Sequence, residues 1–171
     1  MFWVVDADAE VSDDFDFRYI PDQYDQDVVH VWNTLNPVTG DTYGYGGVKL
    51  FNTEQVRDAT SWGLDFTTGL STRFKVMPEV AAVTKFNTGY FSTWKSAFRE
   101  CVKLSLTNTD ESKQRLNAWL NPLPDADFSD AAKQGAEAGI QFAKQNKDNL
   151  SELAKINDFD WLKEYYGNNN S

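Results

Sequence analysis

The chain has 171 residues, of which 41% are hydrophobic and 15% aromatic, and its formal net charge is −10. This size and apolar content predict one compact domain, 1–171, and are too small for two. The negative charge argues against nucleic acid and anionic membranes as partners, because both repel an acidic protein. The one cysteine, Cys101, excludes an internal disulfide, and no apolar run is long enough to cross a bilayer. We therefore expect a cytoplasmic protein.

Short apolar runs separated by turn residues make up the first ninety positions, a pattern typical of strands. The predicted strands are FWVV at 2–5, FDFRYI at 15–20, VVHVW at 28–32, GGVKLF at 46–51 and AAVTKF at 81–86. The first run holds four consecutive apolar residues, which predicts a strand in the centre of the sheet and buried on both faces. In the third run, alternation places His30 on the same face as Trp32, where we expect a hydrogen-bonded, partly buried histidine.

From Phe91 onward the apolar residues recur with the period of a helix. Four helices are predicted, at 91–106, at 110–120 after an N-cap at Thr109, at 130–146 after Ser129 and at 158–166 after Asn157, where Asp158 and Asp160 are suited to cap the helix start. Gly135 and Gly139 in the third helix lower its propensity but allow close packing.

The pattern as a whole predicts the α/β or α+β class, with a layer of short strands covered by carboxy-terminal helices. In this interpretation residues 1–90 form the strand- and loop-rich part, 91–166 the helical part, and 167–171 a frayed tail.

Two aspartates one residue apart, Asp6 and Asp8, follow the first predicted strand. The sequence VVDAD resembles the DXD signature of GT-A type glycosyltransferases. The stretches VVHVWNTLNPVTGDTYGYGGVKLF, FNTGYFSTWKSAFRECVKL and INDFDWL are also similar to glycosyltransferase-like proteins of bacteria and large phages. The resemblance begins at the DXD strand, so we expect the usual amino-terminal nucleotide-binding half to be lacking. If a phage encodes the chain, we expect it in the host cytoplasm.

This resemblance implies transfer of a sugar from a nucleotide-sugar donor to an acceptor. Asp6 and Asp8 would hold Mn²⁺ or Mg²⁺ and, through the ion, the diphosphate of the donor. Both are hard ions that prefer carboxylate oxygen, and a bound ion offsets charge on the departing diphosphate. Glu100 would be the base that takes the acceptor proton, and Arg99 would hold a phosphate or carboxylate.

The same resemblance implies that the acceptor binds beside the glycine-rich turn. Tyr45, Gly46 and Gly47 would border it, because glycines let a ligand approach the backbone and Tyr43 or Tyr45 could stack on a sugar ring. Trp32 or Trp62 would also stack on the sugar if exposed, whereas a buried Trp32 would belong to the core.

Each of these residues also has a purely structural interpretation. Asp6 and Asp8 would then belong to a strand end and a solvated acidic loop. Glu100 would form an ordinary surface pair with Lys103, and the glycines would permit a turn or bulge before a strand.

The alternative function is a non-catalytic, protein-binding module that reuses a truncated GT-A fold. Its sheet would have an open edge beside residues 2–5, which a protein partner or a second copy of the chain could cover. An enzyme predicts that Asp6 and Asp8 converge on an open cleft. A binding module predicts that their carboxylates point to bulk water or into hydrogen bonds. A third interpretation, an acidic mimic of nucleic acid, rests on the net charge alone.

Overall fold

The structure of the protein is a computed structural model that describes residues 1–18, 28–53, 74–107 and 109–169, with only the backbone described at 43–46. The chain divides into two compact units. The strand unit comprises Met1–Asn36 and Thr42–Lys85, and the helical unit comprises Pro37–Asp41 and Phe86–Ser171. The mixture of helices and a sheet confirms the predicted α/β or α+β class. The single-domain assignment stays a prediction.

The strand unit contains one mixed sheet of five strands among the described residues. The strands are β1 (Phe2–Val5), β2 (Ala9–Val11), β3 (Val29–Leu35), β4 (Thr42–Phe51) and β5 (Phe74–Thr84). Their order in the sheet is β1-β4-β3-β5-β2. The central strand β3 runs antiparallel to β4 and parallel to β5.

The prediction of a strand over FDFRYI is wrong for residues 15–18, and the remainder of that run lies outside the described residues. Turn hydrogen bonds replace the strand ladder here. The Phe15 amide donates to the Ser12 carbonyl, and the Asp16 carboxylate accepts from the backbone and side chain of Arg18. Such local bonds from an Asp side chain compete with regular structure.

The central position predicted for β1 is also wrong, because β1 pairs only with β4 among the described strands and forms an edge of the sheet. Trp3 packs against Trp32 with ring centroids 5.1 Å apart, whereas Val5 is 40% exposed. The predicted burial on both faces is wrong as well, because Phe2, Trp3 and Val4 are only partly buried and Val5 is exposed. A run of four apolar residues does not by itself place a strand in the centre of a sheet.

A three-residue connection between β1 and β2 requires the sheet to curl. The Ala9 amide donates to the Asp6 carbonyl over 3.0 Å, a tight turn that brings the two Cα atoms to within about 7 Å. In a flat sheet, strands about 4.8 Å apart would place the two edges about 19 Å from each other. The edges of this sheet therefore approach one another at the Asp6 turn.

Both neighbours of β3 bulge at the level of Asn33. Trp32 pairs with Val48 and Thr34 with Tyr43, so residues 44–47 of β4 stand opposite Asn33 alone. On the other side, the register of β5 shifts across residues 78–81. The side-chain amide of Asn33 donates from Nδ2 to the carbonyls of Met77 and Pro78 over 2.9 and 3.2 Å and so fixes the second bulge. Bulges are frequent beside functional sites, because they redirect side chains.

The helical unit contains five described α-helices, and their positions confirm the predicted helical part. They are α1 (Tyr90–Thr107), α2 (Asp110–Leu120), α3 (Ser129–Asn146), α4 (Leu150–Ala154) and α5 (Phe159–Asn169), with a 3-10 turn at Lys155–Asn157. The short α4 and the 3-10 turn were not predicted. Residues 167–169 are helical rather than part of a frayed tail.

Caps explain most of the helix starts. Thr109 caps α2 by accepting from the Ser112 amide, as predicted, and Asp158 accepts from the amides of Asp160 and Trp161 at the start of α5. The start of α3 differs, because Phe128 takes the N-cap position with a left-handed backbone and no side-chain cap. None of the helices in the described ranges is long and apolar enough to cross a membrane.

Helices α1 and α3 pack backbone to backbone through two glycines. A Cβ on Gly139 would lie 2.5 Å from the carbonyl oxygen of Phe98, and one on Gly135 would collide with the carbonyl of Trp94. Trp94 and Phe98 are 1% and 0% exposed. The glycines thus provide the close packing that the sequence predicts, at the centre of the helical core.

Candidate functional site

Asp6 joins the end of β1 to the bulge of β4. Its carboxylate accepts from the Lys49 ammonium over 2.8 and 3.1 Å and from the Gly47 amide over 3.1 Å. Its own amide donates to the Gly47 carbonyl over 2.9 Å. The side chain of Lys49 is 17% exposed and that of Asp6 37%, so the pair is partly shielded from water. Asp6 therefore has a structural role in the strand unit.

Asp8 lies in the turn that follows, with its side chain exposed. Its carbonyl accepts from the Lys85 amide, which ties the turn to the end of β5. The chain thus holds the backbone of both aspartates firmly while their carboxylates differ: one is bound to a lysine and the other faces solvent.

This donor set does not complete a site for a divalent ion. Such ions take about six oxygen ligands, and a carboxylate already bound to Lys49 is a poor partner for a second cation. Within the described ranges, no three His, Cys, Asp or Glu side chains group closely enough to hold a metal. The Mn²⁺ or Mg²⁺ role of Asp6 and Asp8 stays a prediction.

Gly47 occupies a position that only glycine fits. Its φ is +71°, in the left-handed region, and a Cβ there would collide with the hydroxyl of Thr34 and lie 3.2 Å from Ala82. The glycine-rich segment therefore forms a bulge, as its structural interpretation predicts, although the bulge lies within β4 rather than before it. Only the backbone of Tyr45 and Gly46 is described, so their predicted contact with an acceptor lies outside the described side chains.

Glu100 and Arg99 belong to α1 in the helical unit, and both make internal contacts. Glu100 accepts from Arg115 of α2 over 2.6 Å, and its other oxygen lies 4.0 Å from Lys103. Arg99 donates to the side chain of Asn157 over 2.9 Å. Glu100 thus has a structural partner, as its structural interpretation predicts, but that partner is Arg115 of a neighbouring helix rather than Lys103. Its role as a base stays a prediction.

Asp41 faces the same arginine from segment 37–41. Burial raises the pKa of the Asp41 carboxyl, and the nearby Arg115 guanidinium partly opposes that increase. Arg115 therefore forms an ion pair with Glu100 and also acts electrostatically on Asp41.

Trp32 is 1% exposed and lies in the core of the strand unit, where it also forms part of the wall of a cavity. This burial agrees with the core interpretation and leaves too little of the indole accessible to stack on a sugar ring. His30 on the same strand is fully buried, more completely than the sequence predicts. Trp32 contacts Trp3 and Phe15, with ring centroids 5.1 and 5.5 Å apart. The aromatic part of the site is thus rigidly packed.

The cavity has a volume of about 490 Å³ and is open to solvent. Ligand pockets in proteins typically have about 300–1,000 Å³. The described lining consists of two aromatic residues, one aliphatic residue, three carboxylates and one guanidinium: Phe15, Trp32, Val80, Asp14, Asp16, Glu79 and Arg18. Glu79 and Val80 belong to the β5 bulge opposite Asn33. The bulge thus supplies two side chains to the cavity wall.

Sequence analysis found Trp32 but missed the other lining residues. The signal was present in DDFDFR at 13–18, where carboxylates alternate with phenylalanines. That alternation predicts a strand, although alternating acidic and aromatic residues also suit the rim of a polar binding cavity.

A comparison of the chain with protein-family models, curated proteins and solved structures found no match. The functional interpretation therefore depends on the residues and geometry described above.

Proposed function

We propose that the chain is the acceptor-binding part of a glycosyltransferase-like protein and that it binds a saccharide in the cavity of the strand unit. The observation that carries this proposal is the combination of Phe15 and Trp32 with three carboxylates around about 490 Å³ of space. The nucleotide-sugar donor and the divalent cation enter the proposal through the sequence resemblance.

The chemistry of the lining suits a sugar. A pyranose ring has an apolar face of C–H groups, which packs on an aromatic ring, and hydroxyls that donate to carboxylate oxygens. Phe15 would provide the accessible ring, because it is only partly buried, while Trp32 supports it from below. Asp14 and Glu79, both exposed, would accept the hydroxyl hydrogen bonds and orient the ring.

A binding experiment with a matched control tests this proposal. We expect isothermal titration of the chain with a panel of methyl glycosides to show saturable binding, which Asp14→Asn weakens by about tenfold, since a lost charge-assisted hydrogen bond is worth about 1.4 kcal/mol. Asp13→Asn, at an exposed neighbouring position outside the cavity wall, should leave binding unchanged. No binding of any glycoside at millimolar concentration would refute the proposal.

Transfer itself needs a second measurement. The chain should be incubated with Mn²⁺, a panel of nucleotide sugars and the glycoside that binds best, and nucleoside diphosphate release should be recorded. Release that depends on the glycoside would support catalysis by this chain. Binding without release would limit the chain to the acceptor-binding role.

A second candidate is the non-catalytic, protein-binding module, and the contacts of Asp6 favour it. The carboxylate of Asp6 points into hydrogen bonds and that of Asp8 toward solvent, which is the arrangement expected of a module without catalysis. The edge strand β1, with Val5 40% exposed, would be the contact surface. Analytical ultracentrifugation of the chain and of Val5→Lys tests self-association through this edge. A wild-type monomer would exclude the homo-oligomer.

A further inference from the structure

The charge around the cavity of the strand unit is unevenly distributed. Of the described lining residues, Asp14, Asp16 and Glu79 carry negative charge and Arg18 carries positive charge. Arg18 is already engaged, because its guanidinium donates to both oxygens of Asp16 over 2.9 and 3.0 Å. These contacts hold the pKa of the Asp16 carboxyl below its ordinary value.

Asp14 and Glu79 thus remain as negative charges without an ion pair to any described residue. They reach the cavity from different segments, since Asp14 lies in the turn after β2 and Glu79 in the β5 bulge. An anionic ligand entering here would meet two carboxylates, while the guanidinium that could offset them is bound to Asp16.

The aromatic wall, like the carboxylates, favours a positively charged ligand. The face of an aromatic ring carries partial negative charge and attracts a cation within about 6 Å. Phe15 lines the cavity beside the carboxylates and is half-buried, and its ring is roughly perpendicular to those of Trp32 and Phe17, with interplanar angles of 79° and 86°.

We infer that the cavity is a site for an amine-bearing saccharide, whose ring would pack on Phe15 and whose ammonium group would face Asp14 and Glu79. This inference rests on the proposed saccharide-binding function and specifies its substrate class. Neutral sugars would bind more weakly, and sugars that carry a carboxylate would bind most weakly.

Three sugars of nearly equal size provide the test: methyl glucosaminide, methyl glucoside and methyl glucuronide, titrated into the whole chain at low salt and at a pH where the amine is protonated. We expect the glucosaminide to bind about tenfold more tightly than the glucoside, and the glucuronide to bind less tightly than both. Glu79→Gln should reduce the preference for the amine severalfold. Added salt should also reduce it, since screening weakens interactions between exposed charges. Asp13→Asn is again the control.

The outcomes separate this inference from the proposed function. Equal affinities for the three sugars, or a preference for the glucuronide, would overturn the inference and leave saccharide binding intact. A preference for the amine that Glu79→Gln does not change would place the ammonium elsewhere and would also overturn it. No binding of any of the three at millimolar concentration would overturn this inference, and the proposed function would fall with it only if the whole panel of methyl glycosides also failed to bind.

Discussion

Replacing Gly139 by alanine tests the contact between α1 and α3. The new Cβ would lie 2.5 Å from the Phe98 carbonyl oxygen and 3.1 Å from its Cα, so the helices must separate by almost 1 Å to restore ordinary contact. Overpacking of this kind costs about 1–3 kcal/mol, while the higher helix propensity of alanine contributes about 1 kcal/mol in the opposite direction. Since the neighbouring core side chains are almost fully buried, we expect the upper half of that cost and a net destabilisation of about 1–2 kcal/mol.

Urea unfolding followed by far-ultraviolet circular dichroism measures this change, and Gly167 provides the control. Gly167 lies in α5, and a Cβ there would have no neighbour within 4 Å. Gly167→Ala should therefore raise the free energy of unfolding by a few tenths to about 1 kcal/mol. Our description of the helical core would be refuted if Gly139→Ala were as stable as Gly167→Ala, because the helices would then have room for a methyl group.

Three further substitutions and one chemical modification test other contacts. Asp6→Asn should lower the free energy of unfolding by about 1 kcal/mol, because it removes the charge partner of the mostly buried Lys49; an unchanged urea midpoint would show that the pair is not stabilising. Gly47→Ala should cost more than about 2 kcal/mol in the same assay, since it adds a methyl group at positive φ against a packed strand, and a variant of wild-type stability would contradict the bulge geometry. Thr109→Ala removes the N-cap of α2 and should lower the melting temperature by about 2–4 °C, the shift for about 1 kcal/mol, whereas no shift would show that the cap is not needed. Cys101 is fully buried, and burial raises the pKa of its thiol, so a thiol reagent should modify it only after unfolding; rapid modification of the native chain would show that α1 opens.

The bounds of α1, α2 and α3 could be predicted to within one residue because their signals are local, whereas the short α4 and the last turn of α5 could not. The Thr109 cap, the bond from its amide to the Ser112 side chain and the helical period of the apolar residues all lie within one or two turns. The order of the strands depends on partners far along the chain instead. The apolar composition of residues 2–5 predicts burial, but it does not distinguish a central strand from a well-covered edge strand.

The contacts of the candidate site could not be predicted from sequence for the same reason. The bond between Asp6 and Gly47 joins residues 41 positions apart, and the partner of Glu100 comes from a different helix, 15 positions away. Sequence patterns identified these residues as unusual, but their interactions depend on tertiary contacts. The contribution of Glu79 to the cavity could not be predicted, because the bulge brings this residue to the cavity wall and alternation predicts regular strands without such irregularities.

The pairing of β2 with β5 has a consequence for synthesis of the protein on the ribosome. Ala9 pairs with Thr84, so the amino-terminal strand must wait for its partner while 75 residues are translated. At about 5–20 residues per second this delay is about 4–15 s. During that time β2 lacks the strand with which it pairs, and the sheet stays incomplete even after β1 has met its partner β4 at residues 48–51. Each helix, by contrast, can begin to form within its own length. The amino-terminal strands are therefore where we expect a ribosome-bound chaperone to be most useful.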